Sequence, residues 1–263
     1  MPRALVTNDD GIDSPGLHAL AAAAVDAGLE VVVAAPSEQA SGTSASLAAV
    51  RREGRTVVAR RELPGLPDVP AWAVDAQPGH IVVAALNGWF DPAPDLVLSG
   101  INDGANVGRA VLHSGTVGAA LTAGISDTRA LAVSLDVAVA PMSEPRWDSA
   151  TAVLPRALAL LLDSPPATVL SLNVPDLPAR ELGELRHARL ARHGAVQARV
   201  VDVRDGDLHL DDIGVSDEPE DGTDTALLLA GYPTVTALRS VDADDGDRVQ
   251  RWLSEQRSRA RLG

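Results

Sequence analysis

The chain has 263 residues, 46% apolar and 22% charged, with a formal net charge of −14, no cysteine, and no lysine among its 22 basic residues. The missing thiols exclude zinc–thiolate sites, iron–sulfur clusters, disulfides and thiol nucleophiles, and the missing lysine excludes a Walker A loop and Schiff-base chemistry. The acidic balance and an aromatic content of only 2% predict repulsion from phosphate backbones and few rings on which bases could stack, so no nucleic-acid partner is expected.

In chain order, residues 3–8 read as a short apolar strand that stops at Asn8-Asp9-Asp10-Gly11. Ser14 suits an N-cap and Pro15 the first helical position, opening an Ala-rich helix over 17–27 that ends at Gly28. A second strand spans 30–35 and is ended by Pro36. A helix fits 78–88, a strand 95–99, a Gly- and Asn-rich loop 100–115, and a helix of small residues 116–124. Strands follow at 130–135 and 167–173, with a helix over 147–162 between them. This alternation predicts a parallel sheet covered by helices on both faces. After Pro175 the character changes: 180–225 is polar and reads as an irregular β-rich arm, 234–238 as one more strand, and 247–260 as a terminal helix. The acidic run Asp242–Asp247 only faintly echoes a calcium loop, because its Gly is displaced and the closing Glu is missing. No apolar run is long enough to span a bilayer and no leader pattern opens the chain, so a cytoplasmic protein without a membrane partner is expected.

Parallel strands carry their ligands at the carboxyl ends. Three of the predicted strands end in polar loops: Asn8–Gly11, Ser37–Ser44 and Ser99–Asn106. Sharing one rim, these loops would offer carboxylate, hydroxyl and amide oxygens, a set that suits Mg²⁺ or Mn²⁺ better than zinc. The adjacent carboxylates of Asp9 and Asp10 repel when both are ionised, and a dication removes that cost. The alternative is a plain turn with Asp13 or Ser14 capping the next helix. A helix starting at Ser114 or Gly115 would point free backbone N–H groups at the same rim and could cradle a phosphate without lysine. Taken alone, that segment is better explained by ordinary capping with close helix packing through small residues. His113 could donate to a phosphate or act as an acid, and Arg109 is a weaker anion contact.

The stretches VTNDDGIDSPGLHAL, VVVAAPSEQASGTSASL, DLVLSGINDGANVGRAVLHSGTVGAAL and GTDTALLLAGYPTVTAL resemble the SurE family of metal-dependent nucleotidases and phosphatases, in the family's order and at similar spacing. The resemblance implies a Rossmann-like three-layer α/β fold with a mostly parallel sheet over 1–175. It also implies a C-terminal β-rich and helical extension over 176–263, contributing to the core edge and to a homodimer or homotetramer. By the same resemblance, one Mg²⁺ or Mn²⁺ per subunit is held by Asp9, Asp10, Ser41 and Asn102. Asn8, Gly42, Asn106, Ser114, Gly115 and Thr116 then line the phosphate site of a small phosphomonoester, a nucleoside monophosphate in most of the family. Asp9, Asp10 and His113 are the candidate catalytic groups.

One stretch departs from the family pattern. Where members usually carry a GTP-x-DCV-like segment, this chain has Ala76-Gln77-Pro78-Gly79-His80-Ile81-Val82. The change leaves room for an unusual phosphorylated metabolite as substrate, or for a binding protein without turnover. A haloacid-dehalogenase-type phosphatase is disfavoured, because its two Asp residues are separated by one position and a later Lys is usual. A dinucleotide oxidoreductase is disfavoured because no G-x-G-x-x-G follows the first strand.

Overall fold

The computed structural model describes residues 1–39, 42–137, 144–192, 196–204, 207–214, 220–241 and 251–253; for 196–204 and 207–214 it describes the backbone path alone. The strands are β1 (Arg3–Thr7), β2 (Glu30–Pro36), β3 (Arg51–Arg52), β4 (Arg55–Thr56), β5 (Val58–Leu63), β6 (Leu66–Val74), β7 (Leu96–Asp103), β8 (Arg129–Asp136), β9 (Val169–Pro175), β10 (Arg186–His187), β11 (Val196–Arg204), β12 (Asp207–Gly214) and β13 (Thr234–Leu238). The helices are α1 (Pro15–Asp26), α2 (Pro78–Ala84), α3 (Gly115–Gly124), α4 (Trp147–Asp163) and α5 (Asp224–Leu229). Nine strands form the main sheet in the order β10-β13-β9-β8-β7-β1-β2-β6-β5. From β6 through β2, β1, β7 and β8 to β9 every pairing is parallel, while β5 and β13 pair antiparallel with β6 and β9.

In chain order the parallel strands read 3-2-1-4-5-6, the Rossmann order, and it reverses between β1 and β7. The core divides between the two faces. Leu17, Leu20 and Ala24 of α1 and Leu154, Leu158 and Leu161 of α4 pack on Val6, Val33, Leu98 and Leu131. On the other face, Ile81 and Val82 of α2 and Val117, Ala120 and Ala123 of α3 pack on Leu5, Val32, Val97 and Ala132. The three-layer α/β/α arrangement matches the expected fold.

The caps follow the sequence. The Ser14 hydroxyl accepts from the Leu17 N–H at 3.2 Å, with Pro15 in the first turn. Gly16 lies directly on the end of β7, where an added Cβ would come within 2.1 Å of the Ile101 carbonyl oxygen. Only glycine lets the helix come so close to that backbone.

Three boundaries differ from the sequence reading. The segment between residues 40 and 77 carries the β5–β6 hairpin and the two-residue pairing of β3 with β4. Its strand character was hidden because β5 is an exposed edge strand rich in charge and β6 contains Pro67 and Pro70. The parallel pairing of β6 with β2 uses only Ala71–Val74, beyond both prolines. The helix expected over 78–88 stops at Ala84 and passes into a wide turn, Ala85–Trp89, where Gly88 has φ +99°. The loop expected to begin at 100 begins later, because β7 continues to Asp103 and pairs Asn102 with Ser134. The acidic run 242–247 and most of the expected terminal helix lie outside the described residues.

Candidate active site

The crevice of a doubly wound sheet opens where the strand order reverses, because the loops leaving the two flanking strands turn to opposite sides. Here those strands are β1 and β7, joined in register at Thr7 and Ser99. The loop after β1 carries Asn8, Asp9 and Asp10, and the end of β7 carries Asn102 and Asp103. Sequence-distant oxygens therefore meet at one place by topology.

Asp9 is 4% exposed and Thr116 fully buried. The Thr116 hydroxyl donates to Asp9 Oδ1 in a short contact and lies 2.9 Å from Asn102 Oδ1. The orientation of Asn102 is fixed by its Nδ2, which donates to the Gly104 carbonyl at 2.7 Å. Three oxygens thus converge around a single hydroxyl proton, which can serve only one of two acceptors. Burial raises the Asp9 carboxyl above its ordinary value; the Thr116 hydroxyl and the backbone N–H groups of Gly115 and Thr116 pull it back down. The start of α3 presses on this carboxylate. A Cβ at Gly115 would sit 2.7 Å from Asp9 Oδ2, so no larger residue fits there without moving one of them.

Asp10 is only partly buried, and its contacts are long: 3.4 Å from the Asp103 N–H and 3.5 Å from Gln39 Nε2. Burial and then the neighbouring Asp9 charge push its carboxyl up to about 7. The Asp103 and Asp136 carboxyls are also raised, by burial and then by Asp176. An open cleft of about 450 Å³, lined by Asp10, Asp13, Ser37, Gln39, Asp103 and Trp147, gives access to Asp10. A second cleft of about 500 Å³ shares Ser37–Gln39 with it and extends to Asp75 and Gln77.

The other expected residues take distinct places. Asn8 is spent on its own loop: its amide donates to the Gly11 carbonyl and Ser14 Oγ and accepts from the Gly11 N–H. Asn106 donates to Ser134 Oγ and exchanges backbone bonds with the Asn173 side chain, fixing the loop after β7. Ser114 caps α3 by accepting from the Val117 N–H. His113 is exposed at the end of the short 3₁₀ turn Gly108–His113, one residue before that cap. Gly42 is exposed in the strap after β2. That strap is tied to the 3₁₀ turn by the Ser44 N–H and hydroxyl, which donate to the His113 and Leu112 carbonyls. Ser41 lies outside the described residues.

The first amides of α3, which the sequence reading assigned to phosphate, face the Asp9 carboxylate here. Thr116 is the link between Asp9 and Asn102, a role that no local pattern displays. In the departing 76–82 stretch, Gln77 accepts from the Thr43 hydroxyl at 2.7 Å and His80 pairs with Thr56 at 3.0 Å. The first bond ties the strap after β2 to the start of α2, and the second ties β4 to the same helix.

Among the described residues no group of three or more His, Asp or Glu side chains is arranged to hold a metal ion. The fit to a hard cation rests instead on a mixed oxygen set, Asp9, Asp10 and Asn102, with its surplus of acceptors and two carboxyls raised by burial, that of Asp10 also by the Asp9 charge. Those are the features a dication relieves.

The sequence profile described as "Survival protein SurE" matches residues 4–197. A protein of Azotobacter vinelandii named 5'-nucleotidase SurE is 37% identical over 243 residues, 90% of this chain and 92% of that one. A protein of Edwardsiella ictaluri named 5'/3'-nucleotidase SurE is 33% identical, covering 95% of this chain and 96% of its own. The crystal structure of the SurE protein from Aquifex aeolicus superposes with a TM-score of 0.79 at 27% identity, covering 96% of this chain and all of that one. Sequence and fold agree, and this chain belongs to the SurE family.

Proposed function

We propose that the chain is a divalent-metal-dependent phosphomonoesterase that hydrolyses nucleoside monophosphates. The observation that carries the reading is the oxygen cluster of Asp9, Thr116 and Asn102 beside Asp10 at the sheet's switch point, in a chain whose relatives are named nucleotidases. Asp9, Asp10 and Asn102 would hold Mg²⁺ or Mn²⁺, with Ser41 added by family resemblance. A bound dication supplies positive charge against the phosphate oxygens.

The chain's own groups divide the remaining work. Asp9, enclosed by Thr116 and the start of α3, is a fixed negative anchor. Asp10 opens onto the cleft and its contacts among the described residues are long, so it orients the attacking water and takes its proton. His113, exposed on the same rim, protonates the leaving oxygen. The loops of Asn8 and Asn106 keep the rim in shape. The Gln77–Thr43 and His80–Thr56 bonds favour a second reading, in which the re-tied strap selects a phosphomonoester other than a nucleotide.

The enzyme would act in the cytoplasm as a homodimer or homotetramer with the extension 176–263 at its interface. No helix among the described residues is long and apolar enough to cross a membrane.

Phosphate release from nucleoside 5'- and 3'-monophosphates and simple phosphomonoesters, measured with Mn²⁺, Mg²⁺ and EDTA, tests the reading. Release that needs the metal and is lost in Asp9→Asn is the expected result. Release only from non-nucleotides would select the second reading. No release from metal-loaded, folded protein would defeat both.

A further inference from the structure

We propose that Asp224, more than a hundred residues downstream of the rim, is a positioning residue for the reaction: its buried carboxylate anchors the turn that delivers His113 and the start of α3 to Asp9. The inference rests on the phosphomonoesterase reading and goes beyond it by giving the C-terminal segment a part in catalysis.

Asp224 is 1% exposed, and its side chain is spent wholly on backbone donors. Oδ2 accepts from the Gly108 N–H at 2.7 Å, and Oδ1 accepts from the N–H groups of Ala191 and Thr225, both at 2.9 Å. Two more backbone bonds close the assembly: the Asp224 N–H donates to the Arg189 carbonyl at 2.8 Å, and the Arg109 N–H to the Ala191 carbonyl at 3.1 Å. One carboxylate thus joins the first turn of α5, the chain after β10, and the first residue of the 3₁₀ turn Gly108–His113.

The far end of that turn is held separately, by Ser44 donating to the Leu112 and His113 carbonyls. The turn is thus held at both ends. It then feeds directly into Ser114, Gly115 and Thr116, where the Gly115–Asp9 approach is too tight to accept a Cβ. A displacement at Gly108 is therefore passed to His113 and to the Thr116 hydroxyl. A carboxylate suits the post because only an acceptor-only group can take N–H groups on both oxygens. An amide would offer an N–H to one of those donors and lose that bond.

Asp224→Asn in the full chain is the test. The expected result is a loss in kcat of roughly 10–100-fold, the scale of a small misplacement of catalytic groups. KM and the Mn²⁺ dissociation constant should change much less than kcat, because Asp224 touches neither the loop after β1 nor the end of β7, where the metal ligands Asp9, Asp10 and Asn102 stand. Hydrogen exchange should rise at the amides of 106–113 but not in β1 or β7. Combined with His113→Ala, the two losses should multiply to less than their product, since both act through one turn. If Asp224→Asn does not fold, Ser44→Ala loosens the other end of the same turn and should give the same kcat-selective loss and local exchange. Unchanged kcat in a folded variant whose turn exchanges faster would overturn the inference. So would a kcat loss matched by an equal weakening of Mn²⁺ binding. Both outcomes presuppose an active wild type; a wild type that releases no phosphate takes down the phosphomonoesterase reading and this inference together.

Discussion

On the face of the sheet covered by α1 and α4, the strands present Val6, Val33, Leu98, Leu131, Leu172 and Val174, apolar to their carboxyl ends. On the face covered by α2 and α3, Leu5, Val97, Ala132 and Val169 give way near those ends to polar residues. Strand alternation puts Thr7, Ser99 and Ser171 in one row across that face, and Ser134, Asn173 and Thr234 in the next. The Thr7, Ser99 and Ser171 hydroxyls are buried, with no hydrogen-bond partner among the described residues. The same backbone thus supports two kinds of layer. The apolar face carries stability. The mixed face gives up some stability to seat Asn106 on Ser134 and Asn173, and to bring α3 against Asp9.

If this division is right, Asp9→Asn breaks the mixed face chemically with little effect on the fold. Phosphate release should fall by on the order of 10³-fold, the scale seen when a charge-stabilising group leaves an active site. With EDTA present, the melting temperature should stay level or rise, because a buried carboxylate has been neutralised. A melting temperature that falls sharply would show that Asp9 is structural. Leu98→Ala strikes the opposite face and should do the reverse. It should cost about 2–5 kcal/mol of stability in a denaturant titration while leaving kcat/KM of the folded protein unchanged. A loss of kcat/KM larger than the unfolded fraction explains would join the two faces functionally.

The pH response should also separate them. The folded Asp10 carboxyl titrates at about 7 against an ordinary 3.8, so between those values the folded, metal-free state binds more protons than the unfolded one. Stability of the EDTA-treated protein should therefore be greatest at low pH and fall as pH rises from about 4 to about 7. Over the same range Mn²⁺ must compete with the proton, and its affinity should weaken roughly tenfold per pH unit below about 7. Calorimetry at stepped pH checks both. A metal-free protein that gains stability across that window would mean that Asp10 is already ionised. The smallest expected effect is Thr7→Val. Its hydroxyl has no partner to lose, so the change should be neutral or stabilising by up to about 1 kcal/mol. A measurable loss would reveal a bond made by that hydroxyl.

Much of this site is legible in the chain. The Asp9–Asp10 pair at a strand end, the Asn102 loop and the Ser114 cap each carry a local signal, and the alternation of strands and helices predicts that their loops share a rim. The role of Thr116 is not legible, because a threonine in the first turn of a helix looks the same whether or not it bridges two acceptors. The full length of β7 is not legible, because Gly100, Asn102 and Gly104 look like a loop until β8 pairs beside them. Nor is the β5–β6 hairpin, because prolines and exposed charges erase the strand pattern at an edge.

The fold class, the caps and the family resemblance are readable in the chain, since they follow from short-range patterns of polarity and backbone preference. Only the tertiary structure decided which oxygens meet around one proton, which amides face Asp9, and that Asp224 holds the turn leading to them. Those facts depend on contacts between residues about a hundred positions apart, and no local pattern encodes such a distance.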